Sequence, residues 1–160
     1  MKILKFPDQR LFVKALEVTS FTEELRVILD EMFITMVAHS GIGLAANQVG
    51  FTHNMFTMLG ANDERLYIVN PKIIGRSQAL ANVREGCLSA PGEFLVRNDR
   101  VQWVQVQFQN ELGASSTRVF KGLQAVCVEH EMEHLEGKGL MQSLAIPKKK
   151  RLELAKKWGL

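Results

Sequence analysis

The chain has 160 residues, 46% of them apolar and 23% charged, which sets the scale at one domain spanning 1–160 and excludes a disordered or low-complexity chain. The net charge of +3 is uneven: residues 148–160 hold five Lys, one Arg and one Glu, so the rest of the chain carries −2. No apolar run approaches membrane-spanning length, MKILKFPDQR becomes charged too early for a signal-peptide core, and two cysteines, Cys87 and Cys127, do not make a disulfide framework, so a reduced, cytoplasmic setting is expected.

The first element predicted is a helix from about Ser20 to His39. Ser20 followed by Glu23 has the form of a capping box. Phe21, Leu25, Ile28, Leu29, Met32, Phe33 and Met36 fall on one helical face, and Gly41 is placed to end the helix. Two short apolar runs follow, Asn54–Leu59 and Leu66–Val69, separated by the turn-prone ANDER segment. Pro71 predicts that the second run ends there or lies at a sheet edge. Val101–Phe108 alternates as a strand, with Val104, Val106 and Phe108 on one face. Asn110–Gly113 then turns the chain into Thr117–Lys121, forming a hairpin. A second helix is predicted from about Leu123 to Glu136, with Gly137 and Gly139 marking its end. Pro147 opens a short basic helix ending near Trp158. Strands bracketed by helices, without regular alternation, point to an α+β fold.

The second helix contains His130-Glu131-Met132-Glu133-His134, of the form HExxH. Residues four apart share a helical face, so the two imidazoles can bind one metal ion. Glu131 is offset and can reach a water beside the metal without being a ligand. Apolar neighbours Ala125, Val126, Val128, Met132 and Leu135 predict that much of this helix is buried. A buried His pair needs partners, and a metal is the natural one.

A catalytic site wants a third protein ligand and an open position. His39 and His53 are better read as ordinary polar or capping residues. Cys127 would sit about 7 Å from the metal along the helix axis, at about 1.5 Å per residue, and reads as a small buried residue near the site. Cys87 remains, or a downstream carboxylate, Glu136 or Glu153; the first of these is rotated off the ligand face and the second lies among lysines. Cys87 stands in REGCLSAPG (84–92), predicted to be a tight, irregular segment able to aim a thiolate and backbone N–H groups. The Gly-rich stretch 41–50, GIGLAANQVG, allows close backbone approach to a ligand or strand, and it lacks the Lys-Ser/Thr of a phosphate loop. Gln48 within it can offer an amide donor to a carbonyl.

GIGLAANQ, EGCLS and HEMEH, in that order, resemble the three motifs of the peptide deformylase family, and the resemblance runs from the N-terminal helix to the tail. It implies antiparallel sheets packed around a central HExxH helix. It implies one divalent metal held by Cys87, His130 and His134 with water in the fourth position, usually Fe2+, with Zn2+, Ni2+ or Co2+ able to occupy the site. It further implies removal of the formyl group from N-formyl-methionyl peptides, with Glu131 as general acid/base and with Gln48 and the Leu88 backbone N–H as donors to the formyl oxygen. Ile42, Leu88, Val126 and Cys127 are candidates for the wall of a methionine pocket, and the backbone around Ile42, Gly43 and Gly86 for pairing with the peptide.

Two residues depart from the family pattern. Glu133 stands where Asp is usual and is expected to pair with Arg97; Glu129 stands where Gln is frequent and adds negative charge near the histidines. The basic tail is expected to be a solvated helix face, with a weak family reading as a ribosome contact. A monomer is expected, with neither membrane nor specific nucleic-acid binding. The rival readings are a small HExxH zinc endopeptidase, which needs a downstream ligand, and a non-catalytic metal- or peptide-binding module on the same fold.

Overall fold

The computed structural model describes residues 1–138 and 147–159. Helix α1 covers Glu23–Ala38. Its cap is Thr22, not Ser20: the Thr22 hydroxyl accepts from the Leu25 N–H at 3.3 Å. Glu23 is therefore the first helical residue and cannot close a box with Ser20. At the other end Ser40 takes the left-handed conformation, φ 56°, and the Gly41 N–H returns to the Met36 carbonyl at 2.9 Å.

Five strands form one antiparallel sheet: β1 (Gly43–Ala45), β2 (Met55–Leu59), β3 (Arg65–Arg76), β6 (Trp103–Gln109) and β7 (Ser115–Lys121), in the order β1-β2-β3-β6-β7. Between β3 and β6 in sequence, β4 (Leu80–Cys87) and β5 (Ala90–Val101) form a separate two-stranded sheet. Pro71 neither ends β3 nor puts it at an edge. The register against β6 shifts between Val69 and Lys72, so the residue without an N–H sits in a bulge of an interior strand. Asn70, at φ 50° in that bulge, ties it down by donating from Nδ2 to the Val18 carbonyl at 2.8 Å. The alternating run predicted from Val101 is divided at Gln102: Val101 closes β5, and β6 begins at Trp103. Within β6, Val104, Val106 and Phe108 are buried as expected, and β7 pairs with it along its length.

Strand β2 is covered on both faces because its alternate residues enter two different cores. Phe56 and Met58 pack with helix α2 (Leu123–Leu135), whereas Met55 packs with α1. The two long helices thus flank the β1–β2 end of the sheet. Helix α2 ends as predicted at Glu136 and Gly137; Gly139 lies outside the described residues. Helix α3 (Lys148–Trp158) follows Pro147. Its Leu154 is buried beside Leu4, Phe6, Leu11, Cys87, Ala90 and Leu95, and Lys157 and Lys150 reach Glu93 on β5. Lys148, Lys149 and Lys156 remain exposed. Among the described residues no helix is long and apolar enough to cross a membrane.

Candidate metal centre

Helix α2 presents His130 and His134 one turn apart, both buried, with ring centroids separated by 5.0 Å. Cys87 reaches them from the far end of β4, where Leu88 and Ser89 turn the chain and Cys87 pairs with Ala90. Its Sγ lies 3.2 Å from His134 Nε2. One donor atom from each of Cys87, His130 and His134 falls within 4.8 Å of the other two, and all three residues are buried. The downstream carboxylates are elsewhere: Glu136 pairs with Lys14 at 3.0 Å and Glu153 with Lys150 at 4.0 Å. Burial alone would push the Cys87 thiol up, but the neighbouring charge of His134 and hydrogen bonds from both imidazoles hold it well below its usual value, in the thiolate form that metals need. One soft sulfur and two imidazole nitrogens, with no fourth member of the cluster among the described residues, fit a four-coordinate ion with an open corner.

Behind the imidazoles stands a chain of charges, with Glu85, Arg97 and Arg100 buried, Glu133 half-buried and Asp99 exposed. His130 Nδ1 donates to Glu85 Oε2 at 2.9 Å, which leaves Nε2 for the centre of the cluster. Arg100 grips Glu85 with two bonds, 2.6 and 2.9 Å, and Glu133 with two more, 2.9 and 3.0 Å. Arg97 also donates twice to Glu133, at 3.1 and 2.9 Å, as expected from sequence, and twice to Asp99. Arginines three apart on a strand should face opposite ways. They face the same way because Ala81 pairs with Arg100 and Val83 with Arg97, so β5 holds one extra residue there. Burial opposes ionisation of Glu85, but the Arg100 and His130 bonds prevail and bring its pKa down to about 2. The Glu133 carboxyl is likewise lowered, by both arginines against its burial. Glu129 accepts the Val101 backbone N–H at 3.1 Å, pinning the end of β5 to α2, and burial pushes its carboxyl up. The Asn47 side chain donates to the carbonyls of His134 and Leu11. Glu85, Arg100 and Asn47 were not anticipated. For Glu85 a signal was available, since it opens the EGCLS motif that carries Cys87.

On the open side of the cluster, Gln48 is fixed by accepting the Ala45 N–H at 2.8 Å, and its Nε2 points at Cys87 Sγ, 3.7 Å, and Ser89 Oγ, 3.2 Å. Glu131 is buried, its Oε2 has no hydrogen-bond partner among the described residues, and burial raises its pKa against the pull of the two histidines. Gly43 makes this possible: a Cβ there would lie 2.5 Å from Glu131 Oε1 and 2.6 Å from Cys127 Sγ. Cys127 donates to the Ile42 carbonyl at 3.5 Å, and burial pushes its thiol up, so it is a packing residue. A cavity of about 510 Å³ runs outward from Cys87, His130 and Glu131, lined also by Gln48, Leu88, Val126 and Cys127, with Ile42, Gly43 and Gly86 along its sides. His134 sits behind Cys87 and does not line it. The Ile42 carbonyl is already taken by the Leu59 N–H at 3.0 Å, so alternation leaves the Gly43 backbone facing the open edge of β1. His39 caps α1, its Nδ1 bonding the Thr35 carbonyl at 2.8 Å.

Residues 1–150 match the family model described as polypeptide deformylase. The chain belongs to the peptide deformylase family. It is 38% identical to peptide deformylase 1 of Shewanella oneidensis, over 96% of this chain and 91% of that protein, and 41% identical to peptide deformylase 2 of Nitrosomonas europaea, over 95% and 82%. The crystal structure of a peptide deformylase from Legionella pneumophila superposes with a TM-score of 0.87 at 33% identity, covering 99% of this chain and 92% of that one. The peptide deformylase from Synechococcus elongatus in complex with actinonin superposes at 0.89 and 32% identity, covering 99% and 86%. Membership makes this chain an enzyme, a metal-dependent deformylase, on the expected α+β fold.

Proposed function

We propose that Cys87, His130 and His134 hold one divalent metal ion, Fe2+ in the cell, with Zn2+, Ni2+ or Co2+ able to take its place, and that the enzyme removes the formyl group of nascent N-formyl-methionyl chains. The observation that carries this reading is the meeting of three buried donors from β4 and α2 beside a fixed amide and a carboxylate whose Oε2 has no partner among the described residues. When bound, the ion would supply Lewis acidity, lowering the pKa of a water enough for it to give up a proton near neutral pH. Glu131, raised by burial, takes that water's proton and returns it to the departing amine. Gln48 Nε2 and the Leu88 backbone N–H orient the formyl oxygen and stabilise the charge that develops on it. Val126, Cys127, Leu88 and Ile42 receive the methionine side chain. The peptide backbone lies as an added strand between Gly43 on the open edge of β1 and Gly86 on β4. Release of formate leaves a free amino terminus.

Residues 1–160 act in this reading as one catalytic domain, a cytoplasmic monomer. Docking of α3 by Leu154, Lys150 and Lys157 leaves Lys148, Lys149 and Lys156 for a weak contact with the ribosome. A zinc endopeptidase is disfavoured because Glu136 and Glu153 are engaged elsewhere. The deciding experiment follows formate from a formyl-Met peptide with protein purified without oxygen, alongside its metal content. Wild type releases formate with one metal per chain. Glu131→Ala keeps the metal but not the turnover, and Cys87→Ala loses both. Full turnover by Glu131→Ala would remove the acid/base role, and cleavage of unformylated peptides would restore the endopeptidase.

A further inference from the structure

We propose that Arg84, held against the Phe94 ring at the cavity mouth, selects formyl-methionyl peptides carrying an acidic side chain at the third residue; this rests on the peptide-binding reading above. Along β4, Glu85 and Cys87 are buried, so Arg84 and Gly86 face the other way, toward the mouth. Gly86 pairs with Phe94 and Arg84 with Val96. A Cβ on Gly86 would stand 3.1 Å from the Phe94 ring, so the ring lies against bare backbone. The Arg84 guanidinium carbon sits 4.8 Å from the centre of the same ring, which positions an exposed cation without using its hydrogen-bond donors. Phe94 itself is 56% exposed, far more than a core aromatic would be.

The other charges along the cavity are engaged or deep. Glu85 faces Arg100 and His130, Glu93 is held by Lys150 and Lys157, Lys5 donates to the Leu88 carbonyl, and Glu131 is buried at the inner end. Arg84 has no ionic partner among the described residues, and the stretch 139–146 contains no acidic residue. The reach is set by strand geometry. Arg84 is three positions from Cys87, about 10 Å at about 3.3 Å per residue. An extended peptide whose formyl group lies at Cys87 advances by the same rise, so its third residue comes level with Arg84. An aspartate or glutamate there meets an unpaired guanidinium; a lysine meets a like charge.

The test compares formyl-Met-Ala-Asp-Ser with formyl-Met-Ala-Lys-Ser at low salt, using metal-loaded enzyme. Wild type is expected to favour the aspartyl peptide by about fivefold in kcat/KM, carried by KM, as befits an exposed charge pair. The ratio falls toward one at high salt, where screening shortens to a few ångströms. Arg84→Ala brings it close to one, Arg84→Glu reverses it, and Phe94→Leu shrinks it by freeing the guanidinium. Formate released equally from both peptides by wild type overturns the inference while leaving the deformylase reading intact, as does an unchanged ratio in Arg84→Glu. No formate from either peptide overturns that reading and this inference with it.

Discussion

The β4–β5 hairpin has two faces that use the same residue type for opposite ends. On the inner face Arg97 and Arg100 are 1% and 2% exposed and every donor they offer to a carboxylate is answered, by Glu85, Asp99 or Glu133. On the outer face Arg84 is exposed and rests on an aromatic ring. Alternation along one strand therefore separates two tasks. Inward residues fix the orientation of the His130 imidazole; outward residues line the cavity. Rigidity comes from closed networks in a low dielectric, where an arginine is costly unless fully paired. The selectivity proposed for Arg84 would come from a charge left available.

Removing one arginine from each face breaks this comparison most sharply. Arg100→Ala leaves the buried Glu85 carboxylate with only His130 and takes one of two arginines from the half-buried Glu133, so it should cost about 3 kcal/mol in denaturant unfolding. Arg84→Ala touches no buried charge and should change stability by less than about 0.5 kcal/mol. Equal losses from the two would mean that the inner network is no more than a surface ion pair. Next in size, Glu85→Gln keeps the shape of the side chain but gives His130 Nδ1 a weaker partner. Metal affinity should fall about 10–100-fold, with the circular dichroism spectrum retained. Metal content and a competition titration with a chelator measure this apart from turnover.

The same contrast explains what could be read in advance. The meeting of Cys87, His130 and His134 was legible because each sits in a short motif whose spacing carries geometry, His130 and His134 on one helical face and Cys87 among small residues. The placement of Gln48 beside them was legible for the same reason. The inner network was only half legible: Arg97 and Glu133 were paired in advance, but Arg100 was not, because a regular strand places it opposite Arg97. One extra residue in β5, visible only once two strands are paired, reverses that. The hairpin itself was hidden by Gly86, Pro91 and Gly92, residues that read as loop until cross-strand partners organise them. Pro71 misled in the same way, since a bulge admits a proline that an ideal interior strand refuses. Long periodic elements such as α1 and β6 needed no such information, but their starts shifted, the α1 cap from Ser20 to Thr22 and the first residue of β6 from Val101 to Trp103.

The finest test concerns Glu133, which is one methylene longer than the aspartate expected from the family resemblance. Glu133 spans two arginines at once, with four bonds between 2.9 and 3.1 Å. Aspartate at this position is about one carbon–carbon bond shorter, and in this backbone it cannot reach both guanidinium groups with both oxygens. Glu133→Asp should therefore loosen one of the two forks and cost about 1 kcal/mol, as for a hydrogen bond to a charged group that water can partly replace. Glu133→Gln keeps the reach but removes the charge, and should cost more, because two buried cations then share Glu85 and Asp99 alone. The order of the two variants is the point. If the aspartate protein were the less stable, reach would matter more than charge, and the inner face would owe its rigidity to shape-matched forks instead of neutralisation. If glutamine is worse, as expected, the network is held chiefly by its charge balance, and the glutamate found here is one of several side chains that could supply it.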